Sequence, residues 1–469
     1  MNTSSIIPPL KRAIVRKTDS YKYGHFAMLP PKLERMSYYM ESRGGKFPFS
    51  RFFGLQAIIK KHLIPLTGSY DIDYMAIDAK KHGVSFNKSG WNRIVKEHNG
   101  KLPLEIQAVP EGLDIPIGNV VMQITNTDTS MPWLSGFVET ILEQVWGPTT
   151  LATDTAVIRQ MRKNSLEKTS DNQTSLEYSL HDFGYRGTPT DENAGTMGSA
   201  HLLNFSGTDT MAAIDEIRTY YNEDMAGYSI DAAEHSTIMA WPTEEDFWNN
   251  LIKNVLRSGK TVAAPIDTND WIKTLREIIG GDLRHAIRAS GGKLVVRPDS
   301  GIPWEVVPEI LVILEEIFGT TVNSKGYKVL PSYIGVIFGD GLDIESIQKT
   351  EDAIIKVGFS IENVVYGRGG GGLQKQMRDD MRWAIKLNAK DFGNGWINVH
   401  KSTPGKESKP GRLALIHENG IYKTIPENDL KNRKNILRTV FNGNLLIDED
   451  FDTIRKRARA NEEVSTKIN

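Results

Sequence analysis

From about Leu176 the chain repeats one pattern seven times: an apolar, strand-like run that ends in a loop rich in Gly and Asp. The loops are Tyr185-Arg186-Gly187, Gly207-Thr208-Asp209, Glu234-His235-Ser236, Asp267-Thr268-Asn269-Asp270, Arg297-Pro298-Asp299-Ser300-Gly301, Gly339-Asp340-Gly341 and Gly367-Arg368-Gly369-Gly370. Most lead into a segment of helical period, clearest at Met211 to Tyr221, Thr243 to Leu256, Trp271 to Ile279, Val306 to Phe318, Ile344 to Val357 and Leu373 to Lys386. Repeated strand, loop, helix order argues for parallel strands. Seven or eight such units close most easily into a barrel whose active site lies at the carboxyl ends of the strands. The polar residues of the array all stand at that end.

The flanks have a different texture. Met36 to Arg43 alternates as a strand does and runs into Gly44-Gly45, while Thr18 to Lys22 reads as a helix start with Asp19 or Ser20 able to accept its free amides. Phe52 to Leu63 has helical spacing, and Leu104 to Thr127 reads as strands separated by Gly or Pro. Met131 to Lys163 reads as one or two long helices broken around Gly147-Pro148. Strands return at Trp396 to His400, Gly411 to His417 and Gly420 to Ile425, with a polar, basic loop from Lys401 to Lys409 between them. Arg455 to Arg459 is a charged helix end. The expected organisation places residues 1–175 and 387–469 in one discontinuous β-rich domain and the α/β barrel at 176–386.

Composition narrows the function. A chain of 469 residues is too long for one ordinary core, and its 57 Lys and Arg nearly cancel its 58 Asp and Glu. That balance leaves no broad cationic field for nucleic acid or anionic lipid, so a basic site must be a local pocket. Without cysteine there is neither a disulfide framework nor a thiol nucleophile. Met1 to Lys17 has no apolar stretch long enough for a signal-peptide core, and no run of membrane-spanning length follows, so a cytoplasmic location is expected.

Three strand ends offer anion chemistry. The glycines from Gly367 to Gly372 follow the strand-like Asn363 to Tyr366 and precede a helix, which suits a phosphate cradle and a flexible turn alike. They also satisfy G-x-G-x-x-G through Gly367, Gly369 and Gly372, but in the seventh unit rather than the first, and without a Gly-Lys-Ser/Thr ending. A dehydrogenase reading is weak on that ground. Arg297 and Asp299 put a guanidinium and a carboxylate two residues apart, suited to phosphate and to ribose hydroxyls. Gly339-Asp340-Gly341 repeats the design one strand later. Any one Asp would serve as a helix cap; three such loops at corresponding positions fit a ribose phosphate with a metal-bound diphosphate.

A second group suits a flat heteroaromatic. Phe183 offers a ring to stack on, Arg186 a cation, and Asp209 an acceptor for an amide N–H, although Phe183 alone is equally compatible with core packing. His235 precedes a helical segment, where it fits a nucleophile or base and also a hydrogen-bonded structural residue. Tyr21 and Arg43 by themselves read as surface residues.

Taken together, His181 to Gly187, Gly207 to Thr210, Ala232 to Thr237, Arg297 to Gly301, Gly339 to Gly341 and Gly367 to Arg378, with Thr18 to Lys22, closely resemble the nicotinamide phosphoribosyltransferase family. The likeness runs from about Asp19 to Leu415. It implies an α/β fold, the irregular (β/α) barrel of type II phosphoribosyltransferases plus a β-rich discontinuous domain, in a head-to-tail homodimer with shared active sites. It further implies transfer of phosphoribose from 5-phosphoribosyl 1-pyrophosphate to nicotinamide, with Mg2+ and with ATP as co-substrate. Nicotinamide would lie between Phe183 and the partner subunit's Tyr21, with Asp209 accepting from the amide and Arg186 beside ring and phosphate. Arg297, Asp299, Gly339, Asp340, Gly369 and Gly370 would hold the ribose 5-phosphate. Arg43, Arg378, Lys386 and Lys401, from the second copy, match phosphate-binding positions; His235 matches a histidine phosphorylated by ATP, oriented by Asp267.

The sequence departs from the family in three places. Ala263-Ala264-Pro265-Ile266 lacks a serine often found there, Arg368 replaces a small residue and adds a cation near the phosphate, and the basic loop is shorter. Lys406 and Lys409 are left as alternatives for one role. The rival readings are a nicotinate phosphoribosyltransferase, whose carboxylate substrate would face the like charge of Asp209, and a non-catalytic nucleotide-binding regulatory protein. Intact His235, Arg297 and Asp299 speak against the latter.

Overall fold

Seven parallel strands form one curled sheet in the computed structural model, which describes residues 13–339, 341–403 and 407–460. They are Leu180–Asp182, Gly207–Thr208, Asp231–Ala232, Thr261–Pro265, Lys293–Arg297, Ile334–Phe338 and Val364–Arg368. A strand lies at each of the seven loops, although the second, Gly207–Thr208, falls on residues expected in the loop itself, and each strand is followed by at least one helical turn. In space, Gly207–Thr208 lies at one edge beside Leu180–Asp182, which pairs with Val364–Arg368; the remaining four follow in reverse chain order to Asp231–Ala232. The two edges are linked by a short segment. Tyr228 bridges in parallel to Gly207, and three residues on Asp231 pairs with Val262.

Both faces of this sheet are buried, which is why its strands read as continuous apolar runs rather than alternating ones. Ala263, Val295 and Ile337 point into the curl, with Phe183 and Val365 packed on them. Their neighbours Leu294, Val296, Val336 and Phe338 face the outer core, to which the helices Pro303–Phe318 and Ile344–Lys356 contribute. That outer core also carries ion pairs out of water. Arg162 donates to Glu351 at 2.6 Å and to the Val364 carbonyl at 2.9 Å, and Ser165 donates to the other Glu351 oxygen.

This sheet and its helices form one compact unit, Asp154–Ile217 with Asp224–Lys375; the other comprises residues up to Thr153, Arg218–Glu223 and those from Gln376 on. The second unit is built on a six-stranded sheet in the order Trp396–Asn398, Trp383–Asp391, Arg35–Ser42, Val120–Asn126, Leu104–Ala108, Arg438–Asn442. Arg35–Ser42 is hydrogen-bonded antiparallel to both of its neighbours. Among the described residues no helix is long and apolar enough to cross a membrane.

Three local expectations are corrected. The helix expected from Leu373 to Lys386 is only Gly370–Gln374, because Trp383 to Lys386 pairs with Tyr39 to Ser42 as a strand. The long helices break at Gln144 and Val145, and Gly147-Pro148 stands in the first turn of Trp146–Thr169, where proline's missing amide leaves no bond unmade. Asp19 does occupy the cap position of Ser20–Ala27, but its carboxylate accepts from Thr140 at 3.2 Å rather than from the helix amides.

Candidate active site

At the carboxyl ends of the strands, Phe183 follows Leu180–Asp182 and its amide donates to the Arg368 carbonyl at 2.8 Å. Its ring lies across the neighbouring strand so closely that a Cβ on Gly367 would fall 2.1 Å from Phe183 Cε2. Glycine at 367 is therefore a condition of the ring's position. The exposed side of that ring lines a cleft with Asp209, Ser229, Ala232 and Ala263. Ser229 donates to Asp209 Oδ1 at 2.5 Å, which orients the carboxylate. His181, at the back of the same cleft, is 8% exposed, and burial pushes its pKa down to about 4 against the opposing charge of Asp209. It is a neutral imidazole at physiological pH.

His235 and Asp267 meet, with Nε2 3.1 Å from Oδ1. Asp267 Oδ2 accepts the Asp299 amide at 3.0 Å, so one carboxylate joins the loops of two strands. Burial works against its ionisation, but hydrogen bonds from Ser300, His235 and the Asp299 amide outweigh that and hold its pKa below the ordinary value. Arg297 Nε lies 3.2 Å from Asp299 Oδ1 yet off the line of a hydrogen bond. Arg186 is 88% exposed, its nearest carboxylate Glu234 at 3.7 Å. Phe183, Asp209 and Arg297 thus line one cleft, and Asp267 ties His235 to the loop of Asp299.

The glycine loop differs from expectation in one respect. Arg368 is the last residue of its strand rather than a member of the loop, and its side chain is buried against Asp154 Oδ2 at 2.5 Å. Its charge is engaged by that carboxylate. Gly369 caps a helix of five residues, too short for a developed dipole, so what the loop offers is backbone N–H groups. Gly339 packs beside Asp299 and Phe183, where a Cβ would come within 3.3 Å and 3.4 Å of them. Asp340 lies outside the described residues, as does Lys406.

The remaining candidates belong to the antiparallel unit. Tyr21 is 62% exposed with its ring tilted on His25. Arg43 is half-buried, and its Nε and Nη1 have no hydrogen-bond partner among the described residues. Arg378 lies 3.6 Å from Glu143, whose pKa burial raises despite Arg378 and Lys386 nearby. Lys386 is half-buried on its strand, and the Lys401 amide donates to Ser408 Oγ at 2.9 Å. Lys409 is engaged by the buried Glu41. Sequence reasoning missed Ser229 and assigned no role to His181; the one available signal was a histidine inside a buried strand.

A curled parallel sheet with such strand ends is the architecture of a type II phosphoribosyltransferase. Two solved structures share the fold: nicotinate-nucleotide pyrophosphorylase from Pyrococcus furiosus (TM-score 0.63, 15% identity, 99% of each chain) and human nicotinic acid phosphoribosyltransferase (TM-score 0.55, 14% identity, 94% of this chain and 93% of that one). Residues 178–444 match the nicotinate phosphoribosyltransferase (NAPRTase) family, and 13–106 the N-terminal domain of nicotinamide phosphoribosyltransferase. The nicotinamide phosphoribosyltransferase of Xanthomonas campestris pv. campestris is 40% identical over 95% of this chain and 98% of its own. That of Acinetobacter baylyi is 28% identical over 93% of this chain and 92% of its own. The chain belongs to the nicotinate phosphoribosyltransferase family, among the nicotinamide phosphoribosyltransferases.

Proposed function

We propose that this chain transfers phosphoribose from 5-phosphoribosyl 1-pyrophosphate to nicotinamide, giving nicotinamide mononucleotide and diphosphate, as a cytoplasmic homodimer. The observation that carries the reading is Asp209, held by Ser229 at the wall of the cleft that Phe183 lines. An amide donates to that carboxylate, whereas a substrate carboxylate would be repelled by it. The pyridine nitrogen attacks C1′ of the ribose as the C1′–O bond to diphosphate breaks, and the diphosphate leaves with the electron pair. The nitrogen is already a neutral nucleophile, so no general base is required. The developing charge needs stabilisation instead, from Arg297 and from Arg43, Arg378, Lys386 and Lys401 of a second copy. Asp299, Gly339, Asp340, Gly369 and Gly370 hold the ribose 5-phosphate, and Arg186 stands beside ring and phosphate.

Mg2+ would arrive bound to the diphosphate; among the described residues no group of three or more His, Asp or Glu side chains could hold a metal ion. The ion supplies charge neutralisation of the leaving group. ATP enters through phosphorylation of His235, oriented by Asp267, which favours the tight-binding state. His235→Ala should then show one nicotinamide affinity with and without ATP; if that affinity equals the parent's with ATP, the coupling is wrong.

The test is to incubate the protein with 5-phosphoribosyl 1-pyrophosphate and Mg2+, offering nicotinamide or nicotinate with and without ATP, and to separate the mononucleotides. Nicotinamide mononucleotide is the expected main product, and nicotinate mononucleotide would overturn the role given to Asp209. Asp209→Asn should relax the preference for amide over acid by about tenfold, a difference of ~1.4 kcal/mol.

A further inference from the structure

The two walls of the nicotinamide slot stand on loops from neighbouring strands, Phe183 on one and Asp209 on the other, and one buried carboxylate bonds to both loops. Asp182 ends the strand Leu180–Asp182, in register between Arg368 and Thr208, and is 2% exposed. Its Oδ1 accepts the Gly184 amide at 2.8 Å, which fixes the turn leaving Phe183. Its Oδ2 accepts the Thr208 hydroxyl at 3.3 Å, and that hydroxyl accepts the Thr210 amide at 3.0 Å. Its backbone carbonyl takes the amide of Asp209 itself at 2.9 Å. The helix behind leaves no slack, because a Cβ on Gly198 would sit 3.3 Å from Oδ2 and 2.7 Å from the Ala213 methyl.

Nothing about the strand itself calls for an acid there. Burial raises the Asp182 pKa against the hydrogen bonds from Gly184 and Thr208 and the charge of Arg368, so the group resists ionisation, and its hydrogen-bond partners flank Phe183 and Asp209. A buried polar group in that situation specifies geometry more than it adds stability.

We propose that Asp182 is the positioning residue of the nicotinamide slot, setting the separation between the Phe183 ring and the Asp209 carboxylate without touching substrate. The inference rests on reading that slot as the nicotinamide site. Asp182→Asn keeps the shape, but with its oxygen accepting the Gly184 amide it offers an NH2 where the Thr208 hydroxyl had an acceptor, so that hydroxyl loses the group it donates to. Thr208→Val removes the hydroxyl at similar volume, and Thr208→Ser restores it.

Kinetics with each substrate varied separately decide the matter. In Asp182→Asn the KM for nicotinamide should rise about tenfold or more, with kcat within about threefold and the KM for 5-phosphoribosyl 1-pyrophosphate within about twofold. Thr208→Val should raise the nicotinamide KM about threefold, and Thr208→Ser should recover the parent value. An unchanged nicotinamide KM in both Asp182→Asn and Thr208→Val overturns the proposal. Equal losses for both substrates with a lowered melting temperature also overturn it, since they mark a general structural role. A parent that prefers nicotinate defeats the slot reading alone, and the same variants then judge the positioning role through the nicotinate KM.

Discussion

Charged residues lie both behind the parallel sheet and in front of its strand ends, and the two groups are paired differently. Behind, Arg162 and Glu351 are fully buried and bound at 2.6 Å, and Arg368 is closed against Asp154. In front, Arg297 meets Asp299 off the hydrogen-bond line, and Arg186 stands 3.7 Å from Glu234 with most of its side chain in water. Residue type is the same in both places. The difference teaches that a cation whose partner is already built into the fold belongs to the fold, whereas one left half-paired at a strand end has capacity for an anion that arrives later.

The sharpest break of that contrast is Glu351→Gln, which strands Arg162 in the outer core. Unfolding free energy should fall by about 3–5 kcal/mol, read by denaturant titration, while the nicotinamide KM of the folded fraction stays put. A loss below about 1 kcal/mol would erase the distinction between rear and front. Next comes His181, the neutral imidazole at the front. Its folded pKa of about 4 lies below the ordinary 6.5, so the unfolded state binds a proton first and stability falls as pH drops from 6.5 towards 4. The total is about 3 kcal/mol, and His181→Gln should flatten that part of the pH–stability profile. Arg297→Ala should raise the KM for 5-phosphoribosyl 1-pyrophosphate roughly 30-fold, about 2 kcal/mol, with the melting temperature nearly unmoved. Smallest of all, Arg186→Ala should change unfolding free energy by less than about 0.5 kcal/mol; a larger change would place Arg186 with the rear group.

Most of the seven strand ends were legible because the apolar run stops abruptly at Gly, Asp, Glu or Arg, a signal that needs no knowledge of what packs on it; Gly207–Thr208, a strand on loop-like residues, is the exception. Charge placement was not legible in the same way. Arg368 sits inside a glycine run, so its sequence context suggests a loop; the strand in fact continues through it, and the partner that fixes it, Asp154, is 214 residues away. The segment Leu373 to Lys386 carries helical spacing, yet pairing with Arg35–Ser42 decides its last part. Ser229 lies between two strands in a stretch with no pattern, and only its 2.5 Å bond to Asp209 marks it.

The pairing of Leu180–Asp182 with Val364–Arg368 has a consequence for biosynthesis. A strand made early waits for one made 184 residues later, and the Phe183 amide has no acceptor until the Arg368 carbonyl leaves the ribosome. Arg35–Ser42 waits longer still for Trp383–Asp391. During that interval the nascent chain carries unpaired strand edges, the condition under which chaperones are needed and premature termination is punished by aggregation. A chain released just before Gly367 would carry most of the sheet and its helices but lack the glycine on which the Phe183 ring rests.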